Sequence, residues 1–179
     1  MQKKQHIAII LFMLLPVLIY LPACSKKTTE TEASDVTMQQ EDIEAQRVRE
    51  QLEQERKAKG REFRAEKIKF MSDDIYFNKG SYKLMPAARE LLKSKARWLQ
   101  KNSDLKVIVE GHTDEAGSKE YNLALGDRRA GAVKSFLIGQ GVQSGRLIAV
   151  SYGNEQPIST GSSETARSKN RRVHFVVEE

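Results

Sequence analysis

Apolar and polar positions divide the chain into three parts. Residues 7–20 form an apolar run, residues 26–67 are mostly polar, and from residue 68 onward short apolar runs alternate with stretches at helical spacing. Short runs closed by Gly are typical of buried strands, and recurrence every three or four residues is typical of helices that cover a sheet. The pattern therefore predicts one folded domain over residues 68–179, preceded by extensions.

The pattern within the domain predicts four strands and two helices. The strands are expected at residues 75–77, 107–109, 146–152 and 171–177, and the helices start at Pro86 and after the polar loop 112–118. Proline suits the first turn of a helix. The order β-α-β-α-β-β predicts an α+β fold, a two-layer α/β sandwich with a mixed sheet whose last strand returns antiparallel.

The N-terminal apolar run has the features of a lipoprotein signal peptide over residues 1–23. It follows basic Lys3 and Lys4, is shorter than the ~20 apolar residues that a membrane-spanning helix needs, and stops just before Cys24. Cys24, the only cysteine of the chain, stands where a bacterial lipobox places its acylated residue, although Pro22 departs from that pattern. We therefore expect lipidation at Cys24, with a plain secretory signal as the alternative. Ser25 follows instead of Asp, which implies the outer membrane.

The polar stretch that follows predicts a tether and a spacer. Residues 24–37 are rich in Thr and Glu and predict a flexible tether. Residues 38–67 are rich in Glu, Gln, Arg, Lys and Ala, which favours a charged helical spacer that Gly60 should interrupt. The apolar positions of the spacer are too sparse for sustained heptads, so a solvated single helix is favoured over a coiled-coil dimer.

One strand, loop and helix unit over residues 107–137 carries the candidate chemistry. Asp114 lies in its loop and Arg129 in its helix. A ligand with an ammonium and a carboxylate on one carbon would satisfy both, because Asp accepts from the ammonium while Arg pairs with the carboxylate. The alternative is that Asp114 caps the loop and Arg129 makes a surface ion pair. Spacing alone leaves both interpretations open.

Three sequence segments add a family resemblance over roughly residues 73–177. They are GHTDEAGSKEYNLALGDRRAGAVKSFL from Gly111, SYGNEQP from Ser151 and SKNRRV from Ser168. Together they resemble the peptidoglycan-binding domain at the C-terminus of outer-membrane protein A, and within that family the peptidoglycan-associated lipoproteins (Pal). The resemblance implies that the ligand is the meso-diaminopimelate of the stem peptide, with its ammonium on Asp114 and its carboxylate on Arg129.

Six further residues are expected at this site. Backbone N–H groups near Tyr121 and Asn122, at the start of the helix, would bind the same carboxylate, and Asn122 would orient the loop. The resemblance implies that Asn170 and Arg171 bind other polar groups of the ligand. Phe77 and Asn78 would close one wall of the pocket. Related sequences read Phe-Asp-Phe-Asp at this loop, so two acidic positions are here Asn78 and Gly80.

These expectations predict a binding module that needs no cofactor and is not an enzyme. The expected partners are peptidoglycan and, through the lipid anchor, the outer membrane. The resemblance also implies TolB and other Tol proteins as partners, in envelope integrity and cell division. The alternative within the same class is a wall anchor for another envelope or motility complex.

Charge and residue counts argue against two other classes of function. The chain carries 30 basic and 24 acidic residues, and Lys3 and Lys4 belong to the signal peptide, which leaves 28 against 24. This surplus is too small and too dispersed to predict nucleic-acid binding. His112 and Asp114 could begin a metal site of a cell-wall hydrolase, but a third ligand with suitable spacing is missing. We expect His112 to fix the loop by hydrogen bonding.

Overall fold

The computed structural model describes residues 30–178, so the predicted signal peptide and Cys24 lie outside the described residues. The chain divides into two units, residues 1–51 and 52–179. The elements are α1 (Glu30–Ser72), β1 (Ile75–Tyr76), α2 (Pro86–Lys101), β2 (Lys106–His112), α3 (Lys119–Gly139), a 3-10 turn (Ser144–Arg146), β3 (Leu147–Gly153), α4 (Glu164–Asn170) and β4 (Arg172–Glu178).

Helix α1 is longer than the sequence pattern predicted. It begins at Glu30, so residues 30–37 are helical although we expected a flexible tether there. It also continues through Gly60, which we expected to end it. A glycine inside a helix costs only about 1 kcal/mol relative to alanine, and the strong helix formers on both sides make up for that cost. None of the described helices is both long enough and apolar enough to span a membrane.

The second unit contains a four-stranded mixed sheet in the order β1-β4-β2-β3. β2 pairs parallel with β3, whereas β4 pairs antiparallel with both β2 and β1. The predicted mixed sheet and the antiparallel return of the last strand are therefore confirmed. α4 lies where the sequence pattern allows one helical turn, near the end of the polar loop 153–167, and Ser163 caps it by accepting a hydrogen bond from the N–H of Ala166 (3.2 Å).

One face of the sheet carries the core, which confirms the predicted α+β two-layer sandwich. Alternate strand residues such as Val107, Val109 and Phe175 are completely buried there. Helices α2 and α3 cover this face with apolar side chains at helical spacing, among them Leu92 and Val133, which are also completely buried. A fully buried Leu or Val contributes roughly 1.5–3 kcal/mol, so these positions account for much of the stability of the domain.

The C-terminal part of α1 belongs to the same core, and its contacts extend before the predicted boundary at residue 68 to Phe63, whose ring centroid lies 6.2 Å from that of Trp98. Phe70 is 4% exposed, and its ring lies 4.5 Å from that of Trp98 and 5.4 Å from that of Phe175. The indole N–H of Trp98 donates to Glu66 (3.1 Å). Lys95 is buried beneath this cluster and donates to the carbonyl of Phe70; burial lowers its pKa to about 8.

The opposite face of the sheet is less covered. Tyr76 and Ile148 on this face are 44% and 42% exposed. His112, the last residue of β2, also lies on this face but is 1% exposed, with its ring centroid 5.6 Å from that of Tyr152. Burial, with the neighbouring charge of Arg172, lowers the pKa of His112 from 6.5 to about 4, so its imidazole is neutral at pH 7.

One arginine joins the end of α2 to the start of β3. Arg146 donates from Nε to the carbonyl of Leu105 (2.8 Å), from Nη1 to that of Leu99 (3.0 Å) and from Nη2 to that of Asn102 (2.6 Å). The last carbonyls of a helix have no partner within the helix. Arg146 therefore satisfies acceptors that would otherwise lose their hydrogen bonds when the connection folds over them.

Replacing Arg146 should destabilise the domain. We expect Arg146→Ala to lower the free energy of unfolding by about 2 kcal/mol, because three partly buried carbonyls lose their donors. Urea unfolding of the full chain in detergent solution measures this. Arg97→Ala, which removes an exposed arginine of α2, is the control and should change stability by less than about 0.5 kcal/mol. Equal effects of the two substitutions would contradict the assigned role.

The buried imidazole of His112 predicts a loss of stability in mild acid. Its pKa is about 4 in the folded chain and near 6.5 when unfolded, so stability is complete above pH 6.5 and falls as pH drops from 6.5 to 4. Neither nitrogen of the imidazole has a hydrogen-bond partner. His112→Phe therefore puts another flat aromatic ring in its place and removes the group that takes up a proton. We expect the variant to lose less stability over that range in urea unfolding at several pH values. An unchanged pH dependence would refute this.

Candidate functional site

The site is built where β2 approaches α3 most closely. A Cβ on Gly111 would lie 1.9 Å from the carbonyl oxygen of Gly126, and one on Gly126 would lie 2.3 Å from Oγ of Ser151. Only glycine fits at both positions, because any side chain would push the helix off the sheet. This contact brings the loop after β2 directly over the first turns of α3. Ser118 then caps α3 by accepting a hydrogen bond from the N–H of Tyr121 (3.2 Å).

Asp114 lies in that loop and is 7% exposed. Its Oδ1 accepts a hydrogen bond from the N–H of Ala116 (3.3 Å), which is the loop-capping role considered as an alternative. Its Oδ2 forms a buried ion pair with Nη1 of Arg171 (3.1 Å). The carboxylate is therefore already paired with one arginine.

Arg129 is completely buried, so the alternative of a surface ion pair is wrong for this residue. Its guanidinium donates to three carbonyls: Nε to Ser81 (2.9 Å), Nη1 to His112 (2.8 Å) and Nη2 to Asn78 (3.2 Å). The ring of Phe77 lies 5.2 Å from its Cζ. A guanidinium has five N–H donors, so two remain after these bonds.

The charge of Arg129 is under-compensated. Burial lowers its pKa to about 10; the positive charge of Arg171 lowers it further, whereas the negative charge of Asp114 raises it. Within the described part of the chain Arg129 takes part in no ion pair. A buried cation that has only neutral acceptors is a strong attractor for an additional carboxylate.

Arg171 connects the remaining parts of the site. Besides Asp114, it donates from Nε to the carbonyl of Phe77 (3.2 Å) and from Nη2 to Glu164 on α4 (2.5 Å). Burial lowers its pKa, but the bonds to Glu164 and Asp114 outweigh burial and raise the pKa above its usual value. Sequence analysis expected Arg171 to contact the ligand, whereas the structure shows it holding the loop of Asp114, the end of β1 and α4 together.

Three other predicted site residues differ from expectation. The side-chain oxygen of Asn170 accepts hydrogen bonds from the N–H groups of Ile158 and Ser159 (both 3.0 Å), so Asn170 shapes the loop before α4. The N–H groups of Tyr121 and Asn122 are already bonded to Ser118, at 3.2 and 3.0 Å, and are not free for a carboxylate as expected. The amide side chain of Asn122, in contrast, is completely buried and has no hydrogen-bond partner.

Three cavities surround this cluster. One of about 270 Å³ is lined by Phe77, Asn78 and Arg171 with Tyr76, Met85, Ser168 and Lys169, and another of about 370 Å³ includes Asn170. A third, of about 200 Å³, includes Tyr121. Asp114 and Arg129 line none of these three. Both charged side chains are buried in this conformation.

The expectation that the side chain of His112 fixes the loop by hydrogen bonding is wrong. Its imidazole nitrogens make no hydrogen bond, and it is the backbone carbonyl of His112 that holds Arg129. Glu110 lies on the same open face, with its carboxylate 3.8 Å from the imidazole Nε2. Over residues 30–178, no three His, Cys, Asp or Glu side chains are grouped so as to hold a metal ion.

Curated relatives match the part of the chain that contains the site. The chain is 49% identical over 101 residues to the peptidoglycan-associated lipoprotein of Pseudomonas aeruginosa, covering 56% of this chain and 60% of that protein. It is 42% identical over 107 residues to the peptidoglycan-associated lipoprotein of Brucella melitensis, covering 60% of this chain. The chain spans about 64% of the length of that relative.

Solved structures show the same fold. The peptidoglycan-associated lipoprotein from Burkholderia pseudomallei is 37% identical with a TM-score of 0.58, and the match covers 59% of this chain and 89% of that one. The C-terminal domain of Helicobacter pylori MotB is 28% identical with a TM-score of 0.57, covering 60% and 84%. A sequence model of the OmpA family matches residues 76–171, which is more than half of the chain. The loop, the helix and the two arginines described above are thus the central part of a member of the OmpA family, to which this chain belongs.

Proposed function

We propose that this chain is an outer-membrane lipoprotein that binds the stem peptide of peptidoglycan without covalent attachment. Its ligand is the free end of meso-diaminopimelate, and Cys24 carries the lipid that holds the chain to the membrane. Relatives that are 42–49% identical over this domain are named peptidoglycan-associated lipoproteins, which supports the proposal. The domain then tethers the outer membrane to the cell wall.

The observation that carries the proposal is the buried, under-compensated charge of Arg129 beside the ion pair of Asp114 and Arg171. A ligand carboxylate would give Arg129 the ion pair that it lacks, using the two remaining N–H donors. The ligand ammonium would share Asp114 with Arg171. The zwitterionic end of diaminopimelate carries both groups on one carbon, so one small ligand satisfies both residues.

We propose that the ligand reaches Arg129 after a small rearrangement of the loop that follows β1. The carbonyl of Asn78 makes the longest of the three hydrogen bonds to Arg129, at 3.2 Å, and Asn78 also lines the 270 Å³ cavity. Displacing this carbonyl would join the cavity to the guanidinium. We propose that the amide of Asn122, which is buried without a partner at the start of α3, hydrogen-bonds the same ligand end.

The cellular setting that we propose is the Tol-Pal system, with TolB and other Tol proteins as partners, in envelope integrity and cell division. The likeness to the MotB domain favours a second candidate, a wall anchor for a motility or envelope complex. The higher identity to the lipoproteins, 42–49% against 28%, ranks it second. Genes for Tol components beside this gene would support the first candidate.

Binding to purified cell walls tests the two charges directly. We expect Asp114→Asn and Arg129→Lys to reduce the fraction of full chain that co-sediments with sacculi, with affinity lowered roughly 10- to 100-fold. Asparagine lacks the charge that pairs with the ammonium, and lysine cannot form the bidentate pair with the carboxylate; a charged hydrogen bond is worth about 1.5–3 kcal/mol. The matched controls are Asp127→Asn and Arg128→Lys, which change exposed neighbours on α3.

Circular dichroism and thermal unfolding of the same preparations separate lost binding from lost folding. If folded Asp114→Asn and Arg129→Lys variants bind sacculi as well as the parent chain, Asp114 and Arg129 do not form the binding site. Release of soluble fragments from sacculi by the parent chain would instead support the hydrolase alternative.

The chemistry of the ligand is tested by titration with two stem tripeptides that differ in one residue. We expect the diaminopimelate form to bind at least about 10-fold more tightly than the lysine form, because lysine lacks the second carboxylate that Arg129 would pair with. Arg129→Lys should reduce this difference, whereas Arg128→Lys should preserve it. Isothermal titration calorimetry gives both affinities. Equal binding of the two tripeptides by the parent chain would exclude diaminopimelate recognition.

A further inference from the structure

The ion pair of Asp114 is one part of a longer chain of charges. Arg171 donates from Nη1 to Oδ2 of Asp114 (3.1 Å) and from Nη2 to Oε1 of Glu164 (2.5 Å), so one guanidinium holds two carboxylates. The side chains of Arg171 and Asp114 are 6% and 9% exposed, whereas that of Glu164 is 67% exposed. The shorter of the two bonds goes to Glu164, which sequence analysis did not place at the site.

Helix α4 fixes the position of Glu164, which is its first residue. Ser163 caps the start of the helix by accepting from the N–H of Ala166 (3.2 Å). At the other end, the side chain of Asn170 accepts two hydrogen bonds from the loop before α4 and donates a third to it. Both ends of α4 are therefore held, and the carboxylate of Glu164 reaches Arg171 from an ordered backbone.

The ligand ammonium of the proposed function would change the balance of charge at Asp114. Two cations that share one carboxylate repel each other, most strongly where the groups are buried. The site holds two buried guanidinium groups and two carboxylates, and the ligand end adds one charge of each sign. Arg129 would take the ligand carboxylate and the ammonium would take Asp114. Arg171 then keeps a full ion pair only through Glu164.

We propose that Glu164 is a positioning residue that keeps Arg171 paired while the ligand ammonium binds Asp114. This inference rests on the proposed function and adds a residue that acts through Arg171 without touching the ligand. The exposed carboxylate of Glu164 keeps most of its contact with water, so a stronger pairing with Arg171 costs it little desolvation. Asp114 is thereby released for the ligand without a buried guanidinium losing its last counter-ion.

General electrostatics predicts the opposite effect of removing Glu164. The diaminopimelate stem tripeptide carries more carboxylates than ammonium groups and is therefore an anion at pH 7. Removing a negative charge from the protein should attract an anion more strongly. A weaker affinity after Glu164→Gln would therefore reflect the local pairing of Arg171 and not the overall charge of the domain.

Isothermal titration calorimetry of the full chain in detergent solution with the diaminopimelate tripeptide tests the direction of the effect. We expect Glu164→Gln to bind roughly 3- to 10-fold more weakly than the parent chain. The matched control is Glu90→Gln on α2, which removes a carboxylate that is 72% exposed and is paired with Lys93 at 2.8 Å. It should change the affinity by less than about twofold, because its partner is an exposed surface lysine.

A second ligand separates positioning from a purely structural role. A tripeptide with 2-aminopimelate in place of diaminopimelate keeps the carboxylate for Arg129 but lacks the ammonium. Glu164→Gln and the parent chain should bind this tripeptide equally, within about twofold, because no ligand cation then competes for Asp114. An equal loss of affinity for both tripeptides would show that Glu164 only supports the fold and would overturn the proposal.

The outcomes also distinguish this proposal from the proposed function. If the parent chain prefers the diaminopimelate over the lysine tripeptide and Glu164→Gln binds the diaminopimelate form as tightly or more tightly, the role of Glu164 is refuted and the proposed function stands. If the parent chain shows no such preference, both fail together.

Discussion

The burial of Arg129 is the constraint on which the rest of the site depends. A guanidinium inside a small domain must form hydrogen bonds through its N–H groups. Here they donate to carbonyls of the loop that follows β1 and to the carbonyl of His112. One side chain thereby connects the loop after β1, the end of β2 and the middle of α3. The same burial lowers its pKa to about 10, and no carboxylate of the described residues forms an ion pair with it. One group thus stabilises the fold and carries the charge on which the proposed function rests.

The glycine contact between β2 and α3 makes that burial possible. Because Gly111 and Gly126 touch through their backbones, α3 lies close enough to the sheet for Arg129 to reach beneath the loop. Arg171 performs the complementary task from the other side, since it joins Asp114 to α4 and to the carbonyl of Phe77. The two arginines neighbour one carboxylate, so under the proposed function a ligand with its own carboxylate and ammonium would redistribute these pairings without leaving a charge alone.

The pattern of apolar residues along the chain predicted much of the fold. Apolar periodicity predicted the four strands, the two main helices and the antiparallel return of β4, because each of these elements buries one face against its neighbour. Element limits that depend on cooperative helix growth were less predictable, as α1 shows by starting at Glu30 and passing through Gly60. The short α4 was predicted only as one helical turn at the end of a polar loop, because a capping serine within such a loop is a weak signal.

The sequence by itself determined the fold class, the family likeness and the identity of Asp114 and Arg129 as the charges of interest. Only the tertiary structure decided their partners. It assigned Arg171 to Asp114, Asn170 to a neighbouring loop, the N–H groups of Tyr121 and Asn122 to Ser118, and three backbone carbonyls to Arg129. The physical reason is that patterns along a chain record which residues are buried, whereas hydrogen bonds between residues that are dozens of positions apart depend on distances that exist only after the sheet and helices have packed.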